Sequence, residues 1–325
     1  MTTQAPTGYG ITIPFDNVPL GAQREWIEEL ADLGYTDVWS SEANGADAFT
    51  PLTLASVWGP TLRLGTAIVP TFTRGPGCLA QSVGSLAQAA EGRFVLGLGT
   101  SSDVIVERWN GIPFVEPYKK TRDMVRFLRT ALTGEKVTET YDTFSVRGFK
   151  LGVVPEQPVP ILVAALREGM LRLAGREGDG AIINWLSADD VSTVAPVVKA
   201  FGDEKEIVAR IFVAPSEDAE TVRNLGRFAI AAYLNVPVYA AFHEWLGRGP
   251  QLADMWRLWK DGDRKAALAA IPDQVVDQLI VHGSPAECRA HVQRYLDNGV
   301  TTPTLAILPF PGVDQRQAVR DLAPT

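Results

Sequence analysis

Apolar positions in the first hundred residues alternate between two periods. "YGITIP" (Tyr9–Pro14), "DVWSSE" (Asp37–Glu42), "LRLGTAIV" (Leu62–Val69) and "FVLGLGTSS" (Phe94–Ser102) are short runs in which nearly every position is apolar or small. Such continuous runs predict strands covered on both faces. Between them the period lengthens. Trp26, Ile27, Leu30 and Leu33 form one stripe of a helix predicted over Leu20–Leu33, with Arg24, Glu25, Glu28, Glu29 and Asp32 off the stripe. Gly34 stands where a left-handed residue would close that helix. A second helix is predicted through Phe49–Trp58, and Leu79, Val83, Leu86 and Ala90 recur at helical spacing. Buried strands each followed by an amphipathic helix imply parallel pairing with helical crossovers.

The alternation resumes after a helix around Tyr118–Leu132 and a hairpin-like, then proline-rich stretch, "KVTETYDTFSVRGFKLGVVPEQPVP". Ile161–Leu166, Gly180–Ser187, Ile207–Pro215 and Thr301–Phe310 supply four more predicted strands, and "VDQRQAVRDLA" a closing helix. The stretch from Ser216 to Gly299 reads as mostly helical and is much longer than one crossover requires. Eight strand–helix units predict an α/β fold, a (β/α)8 TIM barrel, as a single domain over residues 1–325 with a helical insertion at about 216–299. An open doubly wound sheet is the alternative.

Composition narrows the classes of partner. The 325 residues are 46% hydrophobic and 21% charged, as in a soluble chain with a large core, and the formal net charge is −8. An acidic balance offers no electrostatic reason to expect nucleic acid or an anionic membrane. Cys78 and Cys288 form no close-spaced pair, so neither a disulfide framework nor a thiolate metal site is expected. "MTTQAPTGYG" lacks a charged start followed by an apolar stretch, and no apolar run approaches the roughly 20 residues that span a bilayer. The expected location is cytoplasmic.

In such a barrel the chemistry sits at the C-terminal ends of the strands. Those ends are Ser40–Asn44, Val69–Arg74, Gly99–Asp103, Ala165–Gly169, Asn184–Ser187, Pro215 and Pro309–Gly312. They are polar and rich in glycine and proline, but poor in catalytic residue types. His243, His282 and His291 all fall in the late helical region, where a surface or packing role is expected. For a metal the mouth offers only Glu42, Asp47 and Asp103, too few and too scattered, so no metal is expected. No "GxSxG" is present, and no histidine stands ready to activate a serine. A site with so little reactivity of its own points to a bound cofactor.

"GYTDVWSSE", "RLGTAIVPTFTRGP", "AEGRFVLGLGTSS", "ERWNGIPF" and "AGREGDGAI" fall in the order seen in the bacterial luciferase-like flavin and deazaflavin oxidoreductases, which the chain resembles from about Tyr9 to Phe310. In detail it looks most like the branch that uses the deazaflavin coenzyme F420, with FMN as the alternative cofactor. The resemblance implies a TIM barrel of the luciferase-like type. It also implies a non-prolyl cis peptide at the end of the third strand, here Ala67–Ile68, with Val69 and Pro70 completing a support for the central ring. Gly99, Thr100 and Ser101 match positions on the ribityl-phosphate side. Leu166, Arg167, Glu168 and Gly169 match a phosphate-holding turn, although relatives often carry Gly-Gly where Leu166 and Arg167 stand here.

Glu42 matches an acidic residue near the ring system and is the one candidate for a catalytic polar group; a carboxylate capping the next loop is the structural alternative. Sugar-phosphate dehydrogenases of the family follow that acid with a histidine, where this chain has Ala43, so that substrate and that mechanism are not expected. Arg74, Trp109, Asn184 and Trp185 are candidate substrate-pocket residues; a salt bridge fixing the loop is the alternative for Arg74, and plain packing the alternative for Trp185. The leading expectation is hydride transfer between C5 of the deazaflavin and a small organic substrate, with a homodimer as a family expectation. An FMN-dependent two-component monooxygenase and a non-catalytic flavin-binding barrel are the alternatives. A glycoside hydrolase ranks last, because Glu42 has no partner carboxylate in view.

Overall fold

In the computed structural model, which describes residues 8–324, the eight predicted strands close into a ring. Residues 1–7 of the stretch read for a leader lie outside the described residues. The strands are β1 (Gly10–Ile13), β2 (Asp37–Ser40), β3 (Arg63–Thr66), β4 (Phe94–Gly99), β5 (Ile161–Ala164), β6 (Gly180–Asn184), β7 (Glu206–Ala214) and β8 (Thr302–Ile307). Each pairs in parallel with its successor, and β8 pairs back onto β1. The continuous apolar runs are explained by this closure: one face of each strand meets the helical ring and the other fills the barrel. Trp39, Val95, Leu162, Ile182 and Val208 form a separate interior cluster, as expected where alternate side chains point inward.

The N-terminal end of the barrel is closed by charge. Arg63 bonds Asp37 and reaches both oxygens of Glu206, with Nη1 at 3.0 Å from Oε2, while Thr302 Oγ1 donates to the same carboxylate at 2.7 Å. Asp37 is 1% exposed and Glu206 4%. Burial alone would lower the Arg63 pKa, but the hydrogen bonds to Glu206 and the charge of Asp37 outweigh it and raise it. The guanidinium also lies over the Trp39 ring, 5.5 Å from its centroid.

Several elements depart from the predicted boundaries for local reasons. The predicted first helix is a 3-10 turn, Leu20–Ala22, followed by a shorter α-helix, Arg24–Leu30. Gln23 between them turns its amide back to the preceding loop, accepting from the Phe15 N–H at 3.0 Å and donating to the Val18 carbonyl at 2.7 Å. Gly34 adopts φ +94°, as its position after the helix requires. The third strand does not run through to Val69. It stops at Thr66, the Ala67–Ile68 peptide bond is cis, and Val69–Pro70 then pairs with Leu98 and Gly99 of β4. The hairpin expected after the Tyr118 region is present as Val137–Thr140 against Ser145–Phe149.

Between β7 and β8 lie six helices, spanning Ala219–Leu234 to Pro285–Asp297, and one element that the helical reading omits. Ile280–His282 is a strand that pairs in parallel with Phe212–Ala214 and heightens the barrel wall beside β7. Among the described residues no single helix is long and apolar enough to cross a membrane. The helical excursion is fastened to the loop after β6. Arg248 reaches Asp190 at 2.8 Å, the Ser187 hydroxyl at 3.0 Å and Gln278 at 3.2 Å.

His243 sits beside this clamp, fully buried. Burial, then the Arg248 charge, pull its pKa from the ordinary value of 6.5 to about 3. The folded chain therefore keeps this ring neutral where the unfolded chain would protonate it. The associated stability is complete above pH 6.5 and is lost progressively as pH falls toward about 3. His243→Leu is expected to remove up to about 1.4 kcal/mol per pH unit from the acid-side slope of stability. Urea midpoints of both proteins at a neutral and a mildly acidic pH check this; parallel slopes would show that His243 carries no such linkage.

Candidate active site at the barrel mouth

The C-terminal end of β4 is built to let something approach its backbone. A Cβ on Gly97 would lie 1.8 Å from the Thr66 carbonyl oxygen, so only glycine allows β4 to pass β3 there. A Cβ on Gly99 would lie 2.9 Å from the Ile68 side chain and 3.0 Å from the Ala164 Cβ, at the point where the strand opens into space. Ser101 then turns the chain with φ +62°, a conformation uncommon for a residue with a side chain and enriched at functional sites. Beyond it a cavity of about 1330 Å³ fills the mouth. A drug-sized ligand typically occupies about 300–1,000 Å³, so this space admits a large cofactor together with a second molecule.

The predicted cofactor residues separate into three groups around that cavity. Ala67 and Ile68 line it from the third strand, whereas Val69 and Pro70 are buried and paired to β4 and do not reach its surface. Gly99, Thr100 and Ser101 form its next wall. Leu166, Arg167, Glu168 and Gly169 line it after β5. Arg167 has extended backbone, and no side chain caps the helix Glu168–Glu177, so the first-turn N–H groups are free to meet an anion. The Glu168 carboxylate is turned along the helix to Arg172 at 2.8 Å.

Glu42 lines the rim, but it is already engaged. Arg74 Nη1 lies 2.5 and 2.6 Å from its two oxygens, and the Ala48 N–H and Thr73 hydroxyl donate at 3.2 and 3.3 Å. The sequence expectation of Arg74 as a substrate contact is thereby corrected: its charge faces Glu42, with Asp47 at 3.8 Å, and it does not line the cavity. Asn184 and Trp109 do line it; Trp109 is 55% exposed and ends the π-helical turn Val104–Trp109. Trp185 is likewise corrected. It is 1% exposed, at φ +53°, stacked on Phe212 at 4.0 Å and tilted against Tyr233 at 4.9 Å. It braces Tyr233, which lines the cavity, instead of forming the wall itself.

Arg210, Thr12, Tyr233 and Tyr239 also line the cavity, and the sequence reading passed over them. Arg210 was hidden because the end of its strand was placed at Pro215, five residues further on. The available signal was the pattern Val208, Arg210, Phe212, which sets one cation on the inward face of an apolar strand. None of the histidines lines the cavity. His282 faces Asp277 at 2.9 Å, His291 stacks on Tyr295 and His243 is buried. Among the described residues no group of three His, Cys, Asp or Glu is placed to hold a metal ion. The mouth thus joins a glycine-floored slot, free backbone amides and aromatic walls, without a nucleophile paired to a base.

Comparison with known proteins agrees with this architecture. The family model described as luciferase-like monooxygenase matches residues 2–302. A 5,10-methylenetetrahydromethanopterin reductase of Methanolobus tindarius is 29% identical over 278 residues, covering 82% of this chain and 84% of the relative. An F420-dependent glucose-6-phosphate dehydrogenase of Kineococcus radiotolerans is 28% identical over 319 residues, covering 91% and 88%. Among solved structures, the coenzyme F420-dependent tetrahydromethanopterin reductase from Methanopyrus kandleri superimposes with a TM-score of 0.82 at 19% identity, covering 98% of each chain.

Proposed function

We propose, since the chain belongs to the luciferase-like monooxygenase family, that it is a coenzyme F420-dependent oxidoreductase acting on a small organic molecule. The observation that carries the reading is the slot at the end of β4. A Cβ at Gly99 would occupy it, and it opens directly into a cavity large enough for a fused ring system and a substrate. The choice of F420 is supported by the relatives named for that coenzyme over most of this chain's length. When bound, the deazaflavin supplies a carbon, C5, that gives up or takes up a hydride.

The chain's own part is binding, orientation and exclusion of water. Gly99 and Ala67 let a flat ring lie close to the backbone, and Ile68 supports it. Thr100 and Ser101 offer hydroxyls, and the free amides before Met170 offer an anion site for the phosphate; Arg167 adds a positive charge there. Glu42, held by Arg74, gives the rim a fixed carboxylate near the ring. The apolar walls from β5, β6 and the helical excursion shield the reacting faces.

Titration of the purified protein with F420 and separately with FMN, followed by the fluorescence of each, tests the reading. Binding of F420 at micromolar concentration or tighter is expected. Tight binding of FMN with none of F420 would replace it by the FMN-dependent monooxygenase alternative.

A further inference from the structure

Among the described residues Arg210 is a cation without a counter-ion. Its side chain points into the barrel, as Val208 does two residues earlier, and lines the mouth cavity. Its Nε is buried and makes no hydrogen bond among the described residues. The ring of Phe212, 5.0 Å from the guanidinium carbon, and the phenols of Tyr233 and Tyr239 are its company, and Asp16 is the nearest acid to influence it, from beyond ion-pair reach. Burial draws the guanidinium pKa below its ordinary value, although an arginine stays charged at any physiological pH. A partly desolvated charge with no partner is costly. The Arg63 and Arg248 networks have carboxylate partners, whereas this guanidinium is left open toward the cavity.

Among the other buried polar atoms in the same condition, two lie on the next two strands around the barrel. Thr304, the register partner of Arg210 on β8, and Thr12 on the adjacent β1 both carry buried hydroxyl oxygens without a hydrogen-bond partner. Three consecutive strands, β7, β8 and β1, thus present unmatched polar atoms to the interior. In the closed order of eight strands, β7 lies four places from β3 in either direction, so it faces the Ala67–Ile68 wall across the mouth.

We infer that Arg210 is the specificity-determining contact for a carboxylate on the substrate, which lies opposite the coenzyme wall. One monovalent cation set among aromatic rings matches a single negative charge on an apolar body. The guanidinium fork fits a carboxylate with two parallel hydrogen bonds, whereas a phosphate ester would bring close to two charges against one. Tyr239, whose hydroxyl burial pushes up to about 12, remains a proton-bearing donor beside it. The inference rests on the mouth being a coenzyme-and-substrate site.

Isothermal titration of the full chain with 2-naphthoate, 2-naphthamide and 2-naphthyl phosphate, in the absence of coenzyme, tests it. The carboxylate is expected to bind at least ~10-fold more tightly than the amide, and added salt should weaken only the carboxylate. Arg210→Gln should bring the two within about twofold, and Arg210→Lys should keep part of the preference. Arg210→Gln should melt no lower than the native chain, because it removes a charge that has no partner to lose; a clear drop would refute the unpartnered geometry. Equal binding of carboxylate and amide overturns the inference. So does a preference that survives Arg210→Gln, tighter binding of the phosphate ester, or no binding of the carboxylate at millimolar concentration. Because no coenzyme is present, a chain that failed to take F420 yet chose naphthoate would sink the proposed function and leave this contact standing.

Discussion

Arg63→Met is expected to destabilise the fold by about 3–5 kcal/mol, the cost typical of removing one partner from a buried ionic set. The substitution is close in volume, so the loss is electrostatic. It leaves Asp37 and Glu206, both almost fully buried, with no cation between them. Thr302 and the Thr36 hydroxyl would still donate to these carboxylates, but neutral donors cannot replace the charge. Since Asp37 belongs to β2, Arg63 to β3, Glu206 to β7 and Thr302 to β8, the effect should spread across the barrel as one cooperative loss. Urea unfolding of the two proteins would show a lower midpoint at an unchanged slope. The combined change Arg63→Met, Asp37→Asn and Glu206→Gln should recover much of the loss, because it removes the unpaired charges as well as the pair. A fall of less than about 1 kcal/mol for the single variant would class the network as an exposed-type pair of little worth.

Gly99→Leu is expected to weaken coenzyme binding by at least ~100-fold, about 2.7 kcal/mol, while leaving the barrel folded. Its Cβ would already press on Ile68 and Ala164, and the remaining carbons have only the slot to enter. Gly99→Ala should cost less than leucine, because its single carbon presses only on Ile68 and the Ala164 Cβ and reaches no further into the cavity. Gly97 behaves differently. There the obstacle is the Thr66 carbonyl, a backbone atom, so even alanine should damage folding and not binding alone. Circular dichroism separates the two outcomes, and the fluorescence titration measures the first. Retained micromolar affinity in Gly99→Leu would place the ring elsewhere.

The eight strands were legible because a parallel barrel demands continuous apolar runs, and Leu64, Leu96, Ile161 and Ile207 sit in runs of that kind. The cis bond at Ala67–Ile68 was legible only through the family resemblance; composition there describes an ordinary strand. What escaped was depth. Period-two patterning tells which side chains share a face, but not which layer of the interior is filled and which is empty. Val208 and Arg210 differ by one layer, and that step separates packed core from open cavity. Trp185 failed in the opposite sense: its position at a strand end suggested the cavity wall, yet with a left-handed backbone its indole is buried against Phe212 and Tyr233. Arg74 and Glu42 stand 32 residues apart, and a one-dimensional pattern cannot say that the two would meet each other before any ligand. The short strand Ile280–His282 lay inside a helical rhythm, and only its pairing with β7 distinguishes it.

The ionic floor also constrains traffic. With Arg63, Asp37 and Glu206 plugging one end beneath Trp39, the barrel among the described residues is a well that opens at its mouth. Coenzyme and substrate share that threshold, and the one that rests deeper is expected to arrive first and depart last. An ordered sequence of visitors is the expected consequence of a stopper on the far side of the molecule.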